Sequence, residues 1–197
     1  AELGRLANMT QQQLQEEQAR LQQMRQLMEQ QRQAVEGLRK KMTDALVNFR
    51  PEELTVFTKN GKVYVSLQES LLFPSGSATV NPRGKEALGK LAQALNTNPD
   101  ITVQIEGHTD SIPIRTKFED NWALSTARSN AIVRILTGTY NVDPVRVTAS
   151  GRSQFEPIDS NSTPEGRARN RRTEIILSPR LDELMRLLET PATTTGG

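Results

Sequence analysis

Residues 81–110 read NPRGKEALGKLAQALNTNPDITVQIEGHTD, and this stretch decides the class of the fold. Asn81-Pro82 opens a helix: asparagine offers a capping oxygen, and proline costs nothing in a first turn whose N–H groups have no helical partner anyway. Leu88, Leu91, Ala92 and Leu95 then recur at three- and four-residue steps, the stripe of a helix that buries one face. Asn98-Pro99 closes it, because the residue before proline is pushed out of the helical region. Ile101, Val103 and Ile105 alternate with polar residues, the period of a strand. Asp110 thereby falls at the carboxyl end of a strand, where open α/β sheets place ligand sites.

Working outward, Leu54 to Thr58 and Lys62 to Leu67 alternate apolar and polar residues around Asn60-Gly61, a strong hairpin signal. A loop of small residues, Phe73 to Thr79, leads into the first helix. Downstream, a second helix is predicted from about Asn121 to Leu136, then strands from Arg146 to Ser150 and from about Thr173 to Leu177. A short helix opens at Thr163-Pro164, and a last one covers Leu181 to Leu188. Strands and helices in this order predict a two-layer α/β sandwich, of α+β type, over residues 51–189, with a disordered tail at 190–197.

Residues 1–50 are of another kind. Gln11 to Gln33 is nearly half glutamine, and one heptad position holds Ala7, Leu14, Leu21, Met28, Val35, Met42 and Phe49. The position three residues on holds Met24, Leu38 and Ala45 but fails at Glu17 and Gln31. This predicts a long helix, ended by Arg50-Pro51, that pairs modestly with a second copy as a coiled-coil stalk, making the protein a homodimer.

Composition narrows the chemistry. The 197 residues are 35% hydrophobic, with 25 Lys+Arg against 23 Asp+Glu, one histidine and no cysteine. Disulfide scaffolds, thiol catalysis and thiolate zinc sites are excluded. No apolar run is long enough to span a membrane, so a targeting or anchoring segment would lie upstream of Ala1. The small charge excess does not call for nucleic acid, which needs clustered cations.

One residue breaks the pattern of the second helix. On a 100° wheel Leu124, Ala127, Ala131, Ile132 and Ile135 form the inward face, and Arg128 falls within that arc. A guanidinium there needs an anion, since an isolated buried charge is very costly. Two readings stand side by side. Asp110 and Arg128 form a plain ion pair, or they face a zwitterion, with Arg128 taking a carboxylate through two parallel hydrogen bonds and Asp110 taking an ammonium.

The strings His108-Thr-Asp110, Asn121-Trp-Ala-Leu-Ser-Thr-Ala-Arg128 and Asn161-Ser-Thr-Pro-Glu-Gly-Arg-Ala-Arg-Asn-Arg-Arg172 resemble the signature of OmpA-like peptidoglycan-binding domains, over residues 63–178. Phe73-Pro-Ser-Gly-Ser-Ala78, Ile112-Pro-Ile114 and the Asn121-Trp122 pair are most similar to the C-terminal region of flagellar stator MotB proteins. The resemblance implies a βαβαβ domain with a mixed sheet that binds the diaminopimelate of the peptidoglycan stem peptide without catalysis or cofactor. It implies a cell-wall-associated, periplasmic location, and a MotA-like membrane partner reached through a segment preceding Ala1. Asp110 matches the residue that binds the ammonium and Arg128 the one that binds the carboxylate. Thr109, Asn121 and Leu124 match pocket positions, Phe73, Ser77 and Ala78 the closing loop, and Asn170 and Arg171 the pocket's support and edge. Pro74 departs from the family, standing where many relatives carry aspartate or asparagine, and it removes a backbone donor.

Other functions fit less well. Glu106, His108 and Asp110 alternate and could share one face of a strand, but a metal needs three or four converging ligands and no second histidine exists; no metal is expected, and His108 reads as a structural hydrogen-bonding residue. A hydrolase lacks a G-x-S-x-G elbow. The cations Arg167, Arg169, Arg171 and Arg172 carry no interleaved aromatics for base stacking, so nucleic acid is not an expected partner. A static outer-membrane or lipoprotein-linked tether remains the alternative to a stator subunit.

Overall fold

The computed structural model describes residues 2–115 and 117–179, with side chains from residue 10 onward. The helix expected at Leu181 to Leu188 and the tail at 190–197 lie outside the described residues.

Helix α1 spans Glu2–Ala45. Strands β1 (Leu54–Lys59) and β2 (Lys62–Gln68) form the hairpin, α2 is a single turn (Glu69–Leu72) and α3 covers Pro82–Asn96. Then come β3 (Ile101–His108), α4 (Asn121–Arg134), β4 (Val147–Gly151), α5 (Pro164–Asn170) and β5 (Arg172–Pro179). Asn60 and Gly61 both have positive φ, 51° and 70°, as a tight two-residue turn between right-twisted strands demands. The sheet order is β1-β2-β5-β3-β4. Among the described strands only β3 and β4 pair in parallel, joined by the crossover through α4, so the sheet is mixed as expected.

The inward face of the sheet consists of three rows, and they narrow. Val63, Leu177, Val103 and Val147 lie side by side, then Val65, Ile175, Ile105 and Ala149, then Leu67, Thr173, Gly107 and Gly151. The wide rows pack on Leu88, Leu91 and Leu95 of α3 and on Ile132 and Leu136. Where the rows end in glycine, α4 lies directly on the sheet. A methyl group at Gly107 would overlap the Ser125 carbonyl, and one at Gly151 would meet the side chains of Thr126 and Ser125. This close approach presses the first turns of α4 onto the carboxyl ends of β3 and β4.

Several boundaries moved for physical reasons. The compact unit begins at Val35, not after Arg50. Val35, Leu38, Met42, Leu46 and Phe49 are buried in the same core as the sheet, so the later half of the heptad serves the domain. Leu14, Leu21 and Met28 on the earlier half stay exposed at 59%, 52% and 58%. Helix α1 ends at Ala45, where the chain turns to bring Leu46 and Phe49 inward. Asn81 occupies the N-cap of α3 but makes no side-chain cap bond; its backbone N–H donates to Leu72 O at 2.7 Å. Helix α4 stops at Arg134 and continues as a wider π turn over Ile135–Thr139. Strand β4 starts one residue late because Arg146 is drawn aside, its guanidinium donating to the carbonyls of Ile101, Leu95 and Asn98.

Glu53 fastens the loop after α1 to α3. Both its oxygens accept from Arg83, and Oε2 also accepts from the Arg50 amide. The Arg83 guanidinium, and then that amide, hold its carboxyl at about 2 against an ordinary 4.5. A depressed carboxyl contributes stability in full above 4.5 and loses it as pH falls toward 2. The melting temperature of the wild type, followed by circular dichroism, should fall over that window, and Glu53→Gln should start lower at pH 7 and show a shallower fall. Gly107→Ala should cost more than Glu53→Gln at neutral pH, since it forces two backbones apart.

Candidate functional site

Arg128 is 3% exposed, and α4 aims it away from solvent as the wheel requires. Its Nε donates to Ser77 O at 2.9 Å, its Nη2 donates to Glu69, and its guanidinium carbon lies 5.0 Å above the centre of the Phe73 ring. Among the described residues two of its five N–H donors are thus used, leaving Nη1 and one hydrogen of Nη2. The plain ion pair between Asp110 and Arg128 does not form. The partner of Arg128 is Glu69, at the start of α2.

Glu69 is shared. Its second oxygen forms an ion pair with Arg171, 2.6 Å from Nε, and Arg171 Nη1 donates to Asp110 Oδ2 at 2.7 Å. Charges therefore alternate along a chain, Arg128, Glu69, Arg171, Asp110. Burial works against the charge on Arg171, but Asp110 and Glu69 outweigh it and raise its pKa. Asp110 is 5% exposed, and its Oδ1 accepts from the Ile112 amide at 2.9 Å, which fixes the carboxylate at the end of β3.

These groups line one groove of about 1110 Å³ together with Phe73, Ser75, Gly76, Thr109, Asn121 and Leu124. Asn121 Nδ2 donates to the carbonyls of Ile112 and Asp110, holding the loop after β3. Thr109 is held by its amide on Ser153 O and its hydroxyl on Asp110 O. Ser77 reaches the site through its carbonyl. Ala78 is half-buried and outside the lining, where Ser75 and Gly76 stand instead. Pro74 opens the turn there, its carbonyl accepting from the Ser77 amide at 3.0 Å. Asn170 is fully buried and braces the neighbouring loop, accepting from the amides of Ile158 and Asp159 and donating to Asp159 O and Asn161 Oδ1.

Sequence reasoning brought together Asp110, Arg128, Thr109, Asn121, Leu124, Phe73 and Arg171, and missed Glu69. The only signal for it was the rule that Arg128 must meet a carboxylate. His108, expected to hydrogen-bond, is 1% exposed; its Nε2 lies 3.3 Å from Glu106 Oε1, but among the described residues neither ring nitrogen has a well-aligned hydrogen-bond partner. The four clustered arginines are all engaged within the chain: Arg167 with Asn161 O, Arg169 with Asp159, Arg171 as above and Arg172 with Glu174.

With this geometry in view, comparison with known proteins is decisive on one point. Residues 72–171 match the OmpA family. The chain belongs to that family. It is 33% identical over 127 residues to Motility protein B of Bacillus subtilis, covering 64% of this chain and 48% of that one. A crystal structure described as a putative MotB like protein from Desulfovibrio vulgaris superposes with a TM-score of 0.71 at 29% identity, covering 80% of this OmpA-family chain and 99% of that one. The cell wall anchor of the T6SS from Pseudomonas aeruginosa superposes at 0.64 and 33% identity, covering 71% and 97%. The chain spans about half the length of the curated relatives it matches. Among the described residues no helix is long and apolar enough to cross a membrane.

Glu69→Ala would leave Arg128 buried without a carboxylate. The expected loss is about 3 kcal/mol of stability, measured by urea unfolding, with Glu69→Gln losing less because it still accepts a hydrogen bond.

Proposed function

We propose that this domain binds peptidoglycan non-covalently, taking the free end of the diaminopimelate side chain in the groove between Arg128 and Asp110. That end carries an ammonium and a carboxylate on one carbon. The carboxylate lies against the unused donors of Arg128, and the ammonium lies on Asp110, whose oxygens each retain a lone pair beyond the bonds they already accept. Thr109, Asn121 and Leu124 shape the pocket, and the Phe73 to Ala78 loop covers it. The observation that carries this reading is that the two charges do not neutralise each other directly. They are linked through Glu69 and Arg171, so each keeps capacity for an outside partner of opposite sign. The similarity to a protein named as a cell wall anchor supports the same reading.

The role is that of an anchor for an envelope complex on the periplasmic face of the wall, without catalysis. Similarity to Motility protein B and to a MotB like structure favours a stator-type subunit, which carries with it a membrane segment in a longer chain and a MotA-like partner. A static tether of the outer-membrane or lipoprotein kind is the second reading, favoured by a 38% identical relative named as a probable lipoprotein in Escherichia coli. The exposed stripe Leu14, Leu21 and Met28 pairs with a second copy in this reading, and a dimer would present two sites to a polymeric wall and gain by avidity.

Pelleting with purified sacculi tests the site. Asp110→Ala and Arg128→Ala should each weaken retention by at least about 30-fold, the loss of one charge-assisted contact, with circular dichroism unchanged. Retention by both variants would overturn the site, and release of soluble sugars or peptides would overturn a purely binding role. Light scattering should give a dimer for the wild type and a monomer for a Leu14→Glu, Leu21→Glu double variant.

A further inference from the structure

The outward face of the sheet carries a second group of charges. Glu106 on β3 stands directly opposite Glu174 on β5, and both are buried, at 4% and 8% exposure. Like charges placed directly opposite across two strands repel. His108, two residues along the same face of β3, is 1% exposed, and among the described residues neither ring nitrogen has a well-aligned hydrogen-bond partner. Its Nε2 lies 3.3 Å from Glu106 Oε1 and 3.8 Å from Glu174 Oε2.

Each carboxylate is half occupied. Glu106 Oε2 accepts from Arg152, Gln104 and Ser150, and Glu174 Oε1 accepts from Arg172 at 2.7 Å. The other oxygen of each has no hydrogen-bond donor among the described residues and is the one nearest the imidazole. Glu156, half exposed, brings a carboxylate oxygen from the loop after β4 so that its own, the Glu106 and the His108 ligand atoms all lie within 4.8 Å of one another. Glu156 itself is tied to Arg152 at 3.3 Å. Two guanidiniums, Arg152 and Arg172, face three carboxylates, Glu106, Glu156 and Glu174, one cation fewer than the anions around the ring.

We propose that Glu106, His108 and Glu156, with Glu174 completing the set, bind a divalent transition-metal cation, of which Zn²⁺ is the natural probe. Two donors on a tetrahedral zinc, each about 2.0–2.1 Å from the metal, stand about 3.3 Å apart, which is the Nε2 to Oε1 spacing here. One imidazole with carboxylates suits zinc or manganese rather than a thiolate-seeking ion. Asp110, which alternates with Glu106 and His108 in the sequence, is instead bonded to the Ile112 amide and to Arg171, while the third member of the cluster, Glu156, comes from the loop after β4. Bound metal would cross-link β3, β5 and the loop after β4, two residues from Asp110.

The test uses the full chain and Zn²⁺ alone. Its single histidine makes the imidazole nitrogen resonances a report on His108 and no other group. Calorimetry should show one Zn²⁺ per chain, and the Nε2 resonance should move to a metal-bound position. Glu156→Gln, at an exposed position that leaves the fold intact, should weaken binding at least about tenfold. No uptake up to millimolar Zn²⁺ would overturn the proposal. So would uptake that leaves the imidazole resonances unmoved, or affinity unchanged in both Glu156→Gln and Glu174→Gln. A ring found protonated on both nitrogens and indifferent to Zn²⁺ would overturn it too, assigning the charge balance to a proton.

Discussion

A guanidinium on the buried face of a helix obliges the rest of the molecule to supply it with anions, and Arg128 sets that condition here. Glu69 meets it from α2, a single turn that Leu71 and Leu72 anchor in the core. Because one carboxylate serves both Arg128 and Arg171, and Arg171 reaches on to Asp110, the condition spreads over four elements: α2, α4, the end of α5 and the end of β3. Removing Glu69 leaves the buried Arg128 without a carboxylate, whereas Arg171, one-third exposed, keeps a second partner if either of its carboxylates is lost.

The sheet makes this arrangement possible. Valine and isoleucine rows hold α3 and the later part of α4 at an ordinary distance, whereas the row ending in Gly107 and Gly151 lets the first turns of α4 settle onto β3 and β4. That approach brings Arg128 and Asn121 to the carboxyl ends of the strands, beside Asp110. The charges are fixed before any ligand arrives, by bonds to Ser77, Glu69, Ile112 and Arg171. A ligand of matching charge then needs little reorganisation of them, which favours binding of a small polar group.

Much of this was legible in the sequence, wherever a local rule was sufficient. Asn60-Gly61 fixed the hairpin by needing positive φ, the leucine stripe of α3 and the alternation of β3 gave their own periods, and Thr163-Pro164 opened α5 with a true side-chain cap from Thr163 to the Gly166 amide. Arg128 announced itself by interrupting an apolar arc. The failures share a cause: each depended on a partner remote in sequence. Glu69 lies 59 residues from Arg128 in a turn too short for any periodicity. The heptad of α1 states that Val35, Met42 and Phe49 face something apolar, and cannot state whether that is another helix or the domain's own core. Glu106 and His108 show their alternation, but Glu174 and Glu156 join them only through strand register and a loop.

The central claim is that Arg128 and Asp110 together read a carboxylate and an ammonium on one carbon. Calorimetric titration with the tripeptide L-alanyl-γ-D-glutamyl-diaminopimelate, against the same peptide ending in lysine, isolates that claim, because lysine keeps the ammonium and lacks the carboxylate. Binding of the diaminopimelate peptide with at least about 30-fold weaker binding of the lysine peptide is the result expected from losing the Arg128 contact. Equal affinity for the two would contradict it.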